Sequence, residues 1–310
     1  MQADTAIAAS AVELAAAKIN LGLAVTGRRA DGYHTLDSIA VFTELGDRVV
    51  ARAADRDSLV VDGPFAAALT GGDAGSNLMI RARDLLRAHL GASKAGAMKD
   101  APPVALSLTK RLPVAAGIGG GSADAAATLR ALCRLWQVRP PAPDLHKMAC
   151  ALGADVSVCL AGQPARMSGI GTELSPLNPW PALPIVLVNP LLPVSTSSVF
   201  ERLVRRDAGP LPPLPVQRDV ASIAAWLNSS RNDLEPTATQ LVPEIAAGLA
   251  GLRRNAALAT AMSGSGATVF GLFADAAAAR DAATEMRRER PDWFVAATCS
   301  HAAMPKLDLC

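Results

Sequence analysis

The stretch Leu112–Leu132 reads LPVAAGIGGGSADAAATLRAL, with Gly117, Gly119, Gly120 and Gly121 within five positions ahead of a helical pattern. Glycines let successive backbone N–H groups turn toward an anion without Cβ obstruction. A helix starting near Ser122 would add unsatisfied N–H groups and about half a positive charge. Two familiar phosphate loops fail here. Gly121 is followed by Ser122 with no lysine, and counting GxGxxG from Gly117 ends on Ser122. A phosphate cradle of another kind is the leading reading; a plain strand-to-helix connector is the other.

Around this loop the chain alternates strand-like and helix-like segments. Val104–Thr109 alternates as a strand into the loop. Beyond it Ala125, Leu129, Leu132 and Trp136 form one helical stripe. Residues 77–89 read as a helix. In AKINLGLAV, Ile19, Leu21, Leu23 and Val25 recur at period two, so Lys18 and Asn20 share the opposite, polar face, where Gly22 leaves room for an approaching group. Residues 144–152 read as a short helix with Asp144 as N-cap and Gly153 as stop, and Asp155 then opens another strand, GADVSVCL.

The break at Ala161–Pro164 divides the chain into residues 1–165 and 166–310. In the second part a strand at 185–189 precedes helical patterns and a proline-rich loop at 211–215. Strands at 257–262 and 267–273 flank an SGSG turn; a helix at 275–288 and a strand at 293–298 follow. That order is a split βαβ pattern with inserted helices, an α+β class. The tail after His301 reads as poorly ordered.

Composition narrows the function. The 310 residues are 50% hydrophobic and 19% charged, a globular balance, and the abundant alanine predicts helices packed through small side chains. A net charge of +2 gives no electrostatic footprint for nucleic acid. The five cysteines show no CxxC spacing, which predicts reduced thiols rather than zinc ligands or a disulfide framework. No basic residue precedes Lys18 and no apolar run reaches membrane length, so a soluble cytoplasmic protein without membrane or nucleic-acid partners is expected.

Three segments together resemble the GHMP kinases: AAAKINLGLAV at 15–25, LPVAAGIGGGSADAAA at 112–127 and AMSGSGATVF at 261–270. Their order and spacing cover nearly the whole chain. The resemblance implies a two-domain fold, an N-terminal ribosomal-protein-S5-like α/β domain and a C-terminal ferredoxin-like split βαβ domain. RADGYHTLDS at 29–38, ALGADVSVCLAG at 151–162 and RNDLEPTA at 231–238 are similar to one branch of that family. Its members use ATP to phosphorylate the 2-hydroxyl of an alcohol carrying a cytidine diphosphate group. Ala115 and Ala116 stand where members often carry glycine, and Ser157 where proline is common.

The resemblance implies a role for each matching residue. Asp155 takes the hydroxyl proton, or else is a structural cap, and Lys18 lies beside it. Asn20 bonds the hydroxyl or positions Lys18. Tyr33 and His34 recognise cytosine; Phe200 supplies an opposing ring or packs in the core, and Thr196 lies near the site. The backbone of Gly117, Gly119, Gly120 and Gly121 and the hydroxyl of Ser122 hold the ATP phosphates, with Ser122 also a ligand for Mg²⁺. Asn77 contacts adenine or caps a helix, and Lys110 lies along the nucleotide. Two other readings stay open: a kinase of the same fold acting on another alcohol such as homoserine, and a non-catalytic nucleotide binder. Tyr33 and His34 weigh against the first, and the presence of both Lys18 and Asp155 against the second. Oligomeric state, monomer or homodimer, is open.

Overall fold

The computed structural model describes residues 10–301, apart from 70–74, 76, 93–100, 204–206 and 208. The tail beyond His301 lies outside this range.

Strand β1 (Ser10–Arg28) is longer than the alternating stretch that announces it, and it pairs antiparallel with β2 (His34–Ala53). Register shifts at Ala16/Lys18 and Asn20/Gly22 bracket the segment carrying Lys18 and Asn20. Such irregularities re-aim side chains locally. Gly22 does not admit a ligand: a Cβ there would lie 2.7 Å from Ser230 Oγ, and Leu211 fills the space beside it. On the other flank of β2, β4 (Val104–Thr109) pairs antiparallel, and β3 (Ser58–Asp62) then pairs parallel to β4.

Helices cover one side of this sheet. α1 (Leu78–Ala92) packs against α2 (Gly120–Leu135), and α2 packs on β1 and β2. The expected stripe on α2 is too narrow a description. Ala123, Ala126, Ala127 and Ala131 are buried as well as Ala125, Leu129 and Leu132, so alanine lets neighbours close in on all sides.

α3 (Ala142–Leu152) begins two residues before Asp144, with Pro141 at its N-cap; Asp144 sits in the first turn, where its charge still suits the helix dipole. The expected strand GADVSVCL is instead helix α4 (Ala154–Ala161). Its β-branched residues imitate a strand, but a short apolar run does not distinguish a strand from a buried helix. Here Val156, Val158 and Cys159 are buried in the core that α2 shares.

The N-terminal sheet runs past the break at residue 165. β5 (Ala165–Ser168) pairs with β2, and β6 (Glu173–Pro176) pairs with β5. The second half builds a sheet from β7 (Pro184–Asn189), β8 (Ala259–Met262), β9 (Val269–Leu272) and β10 (Phe294–His301). Their order, β10-β7-β9-β8, is all antiparallel and places the first and last strands side by side, the split βαβ arrangement read from the sequence.

Between β7 and β8 lie α5 (Thr196–Glu201), α6 (Val220–Ser229), α7 (Glu235–Leu241) and α8 (Glu244–Arg254); α9 (Ala276–Glu289) follows β9 and is capped by Asp275. The end of β10 pairs with β2, which joins the two sheets. A hydrophobic core straddles that junction. It contains Ile19 and Leu21 of β1, Ala116 and Ile118 of the glycine loop, and Phe270 of β9.

Candidate active site

The glycine loop is shaped from beneath. Ile118 is fully buried, and its carbonyl accepts a hydrogen bond from the Lys18 N–H at 3.0 Å. Gly119 (φ 64°) permits this closeness, since a Cβ there would lie 3.2 Å from Lys18 Cβ. Gly117 (φ 72°) faces the C-terminal half, where a Cβ would meet Ser263 O at 2.5 Å and Gly266 O at 2.6 Å. Helix α2 starts at Gly120, two residues before Ser122, and the first-turn N–H groups of such a helix have no intrahelical acceptor.

Opposite the loop, α4 places Asp155 in its first turn. The Lys18 ammonium contacts Asp155 Oδ2 at 2.7 Å. The Lys18 side chain is only 4% exposed, whereas Asp155 is 39% exposed and opens into the cavity that both residues line. A buried ammonium fixed by one carboxylate holds that carboxylate in one orientation.

Asn20 has its carboxamide oriented by a relay. Its Nδ2 donates to Ser38 Oγ at 2.7 Å, and Ser38 Oγ donates to Gly22 O at 2.6 Å. This leaves Asn20 Oδ1, a buried acceptor without a partner among the described residues, on a residue that lines the same cavity. Unpaired buried acceptors are costly and mark places where a ligand completes the bonding.

The cavity, about 870 Å³, gathers most of the residues expected from the sequence. Lys18, Asn20, Tyr33, His34, Gly117, Gly119, Gly120, Gly121, Ser122, Asp155, Thr196 and Phe200 all line it. Tyr33 is 64% exposed at the turn before β2. The His34 ring stacks on Phe200, with centroids 5.0 Å apart and planes inclined by 22°. Phe200 also packs against the C-terminal core, the alternative the sequence left open for it. Thr196 Oγ1 and Ser265 Oγ lie 2.8 Å apart, tying α5 to the SGSG turn.

Two expected residues lie elsewhere. Lys110 does not reach along this cavity. It is 1% exposed behind the loop, where its Nζ contacts Asp47 Oδ2 at 2.5 Å and Asp124 Oδ2 at 2.8 Å. Burial works against its charge, but the carboxylates of Asp124 and Asp47 outweigh burial and hold the ammonium above its usual range. Asn77 caps α1, its Oδ1 accepting from the Met79 N–H at 2.9 Å. It lines a second cavity of about 730 Å³, which shares Leu78 and Gly121 with the first.

Sequence reasoning missed the residue that clasps the two halves together and the one that braces its turn from within the second half. Ser263 Oγ accepts from the Asn20 N–H at 3.1 Å and donates to Gly117 O at 3.0 Å. Asn232 Nδ2 donates to Met262 O and Gly264 O, both at 2.8 Å. Asn232 belongs to the RNDLEPTA segment and Ser263 to the SGSG turn, so the signal was the recurrence of these segments together rather than either alone.

Comparison with known proteins now bears on this geometry. Residues 77–163 match the GHMP kinases N terminal domain, and residues 213–292 match the GHMP kinases C terminal domain. A 4-diphosphocytidyl-2-C-methyl-D-erythritol kinase of Mesorhizobium japonicum is 51% identical over 92% of this chain and 94% of its own length. One from Chelativorans sp. is 47% identical over 95% of this chain and 97% of its own length. The chain belongs to the 4-diphosphocytidyl-2-C-methyl-D-erythritol kinase family of GHMP kinases. A crystal structure of 4-(cytidine 5'-diphospho)-2C-methyl-D-erythritol kinase superposes with a TM-score of 0.74 at 35% identity, covering 94% of this chain and 99% of the other. Homoserine kinase from Cytophaga hutchinsonii superposes at 0.69 with 17% identity, a likeness of fold alone.

Proposed function

We propose that this chain transfers the γ-phosphoryl group of ATP to the 2-hydroxyl of 4-diphosphocytidyl-2-C-methyl-D-erythritol, giving the 2-phosphate and ADP, a step of non-mevalonate isoprenoid precursor synthesis. The observation that carries this reading is the Lys18–Asp155 pair, 2.7 Å apart, in the same cavity as the glycine loop and the Tyr33–His34 turn.

Phosphoryl transfer needs an in-line approach, charge stabilisation and a proton acceptor. Asp155, oriented by its contact with Lys18, takes the hydroxyl proton as the oxygen attacks. Lys18 stabilises the negative charge that develops there and holds the carboxylate in place. Asn20 Oδ1 fixes the substrate through its hydroxyl groups. The exposed Tyr33 ring offers a face for cytosine, with the His34–Phe200 stack as the adjoining wall. Thr196 borders this region.

The phosphates of ATP lie against the N–H groups of Gly117–Gly121 and the start of α2. The nucleoside extends into the second cavity beside Asn77. No cluster of three or more His, Cys, Asp or Glu side chains that could hold a metal occurs among the described residues. Mg²⁺ would therefore come with the phosphates, as it commonly does, with the Ser122 hydroxyl as protein ligand. The ion supplies charge neutralisation on the phosphate oxygens.

Release of ADP by the purified protein, followed with the diphosphocytidyl compound and with homoserine, tests the assignment. Turnover is expected only with the former, and its absence overturns the reading. Tyr33→Ala is expected to raise KM for the diphosphocytidyl substrate by about tenfold, the effect of losing one stacking face, and to leave KM for ATP nearly unchanged. Equal shifts in both would contradict the role of Tyr33.

A further inference from the structure

Three parts of the proposed reaction sit on three elements: the lysine on β1, the carboxylate on α4, and the phosphate cradle at the start of α2. α4 packs more extensively on α2 than on β1, so α2 is the body through which Lys18 and Asp155 are held relative to each other. Arg130 of α2 lies outside the cavity, yet it reaches both neighbours. Its side chain is 5% exposed. Nε donates to Glu13 Oε2 at 2.9 Å, Nη2 to Leu14 O at 3.0 Å and Nη1 to Cys159 O at 2.9 Å.

These partners stand close to the reacting pair along their own elements. Leu14 precedes Lys18 by four positions on β1, and Cys159 follows Asp155 by one turn on α4. Cys159 O is also among the last four carbonyls of α4, which have no intrahelical donor, so the guanidinium supplies one. Desolvating a guanidinium is costly, and a well-packed apolar side chain often fills such a place with equal or greater stability. What the ion adds is direction. Apolar contact is non-directional, whereas three hydrogen bonds from one planar group fix distances and angles among the elements they join.

We propose that Arg130 is a positioning residue for phosphoryl transfer: it sets the Lys18–Asp155 contact by tying the strand that carries the lysine, and the helix that carries the aspartate, to the helix that begins the phosphate cradle. The proposal rests on the reaction proposed above. In Arg130→Met the strand and α4 lose their common anchor while the space stays filled. Glu13 keeps a partner, because Arg134 Nη1 contacts its other oxygen at 3.0 Å. Misplacing a reacting group by about 1 Å costs roughly 100-fold in rate, so kcat should fall about 10- to 100-fold. The N–H groups that hold ATP lie at the start of α2, roughly 15 Å from Arg130 along the helix axis, so ATP affinity should stay within about threefold.

The test measures ADP formation on the diphosphocytidyl substrate for wild type, Arg130→Met, Asp155→Asn and the double variant. Each rate is divided by the ATP-binding sites counted by calorimetric titration. A merely structural arginine lowers the melting temperature but leaves the rate per site within about threefold, and that result overturns the proposal. The double variant separates the routes open to Arg130. With no base left to aim, Arg130→Met is expected to cost less than about threefold on top of Asp155→Asn. A further loss of about tenfold or more there refutes positioning through Asp155. Should Arg130→Met fail to fold, Arg130→Lys decides: its ammonium keeps the charge beside Glu13 but cannot span both carbonyls, and an unchanged rate overturns the role. A wild type that binds ATP but does not turn over the diphosphocytidyl compound removes the proposed reaction and this role with it. Wild-type turnover with an undiminished variant removes only the role of Arg130.

Discussion

Replacing Asp155 by Asn probes the centre of the proposed chemistry with little damage around it. The side chain keeps its shape and an oxygen that can still face Lys18 Nζ across the 2.7 Å contact. What it loses is the ability to accept the substrate's proton. Positioned general bases contribute about 10²–10⁴ in rate. At about 1.36 kcal/mol per decade that is roughly 3–5 kcal/mol of barrier, and kcat should fall accordingly. Stability should fall by only about 1–2 kcal/mol, because the buried ammonium trades an ionic partner for a neutral acceptor. ATP affinity should hold, since the loop N–H groups do not depend on Asp155. Single-turnover measurement of ADP formation, with calorimetric titration of ATP, separates these quantities. A kcat within about threefold of wild type would refute the base, because about two decades is the smallest loss the role allows. A loss confined to KM for ATP would place Asp155 on the nucleotide instead.

Lys110→Met leaves Asp47 and Asp124 buried without their shared cation. Stability should drop by about 3–5 kcal/mol in urea unfolding, and a change below about 1 kcal/mol would show that the ion triad carries no structural weight. The same triad makes stability depend on pH. Burial pushes the Asp124 carboxyl up from 3.8 to about 7, so between these values the native state binds a proton that the unfolded chain has released. Its contribution therefore falls as pH rises toward 7, by on the order of 2 kcal/mol between pH 5 and pH 8. Asp124→Asn should lack that slope; parallel stability–pH curves for wild type and variant would refute it.

How far the sequence foretold the molecule depended on whether its signals were local. Strand β4 was read to the residue because VALSLT alternates cleanly, and α9 within two residues because Asp275 caps it. Helix α4 was misread because a buried helix presents apolar residues in every direction, which erases its period. The carboxylate partners of Lys110 were illegible for a different reason. Adjacency to the loop along the chain does not say which side of the loop a side chain reaches, and the partner that settles it, Asp47, lies 63 residues upstream. Lys18 and Asp155 were paired through resemblance, and the structure supplies the physical link between strand and helix. Ser263, 243 residues from the Asn20 N–H it serves, left no pattern of its own.

The burial of Ile118 and Ala116 in the core shared by both halves has a consequence for how the protein comes into being. The loop's shape depends on Ser263 O, Gly266 O and the Thr268 N–H, which donates to Ala116 O, and these belong to the turn between β8 and β9. A chain emerging from the ribosome thus carries all of the loop's glycines well before it has anything to mould them against. The nucleotide cradle is a late product of synthesis, completed only when the turn between β8 and β9 arrives. Premature termination between residues 122 and 263 would yield a polypeptide with the complete phosphate-loop sequence and no organised place for ATP.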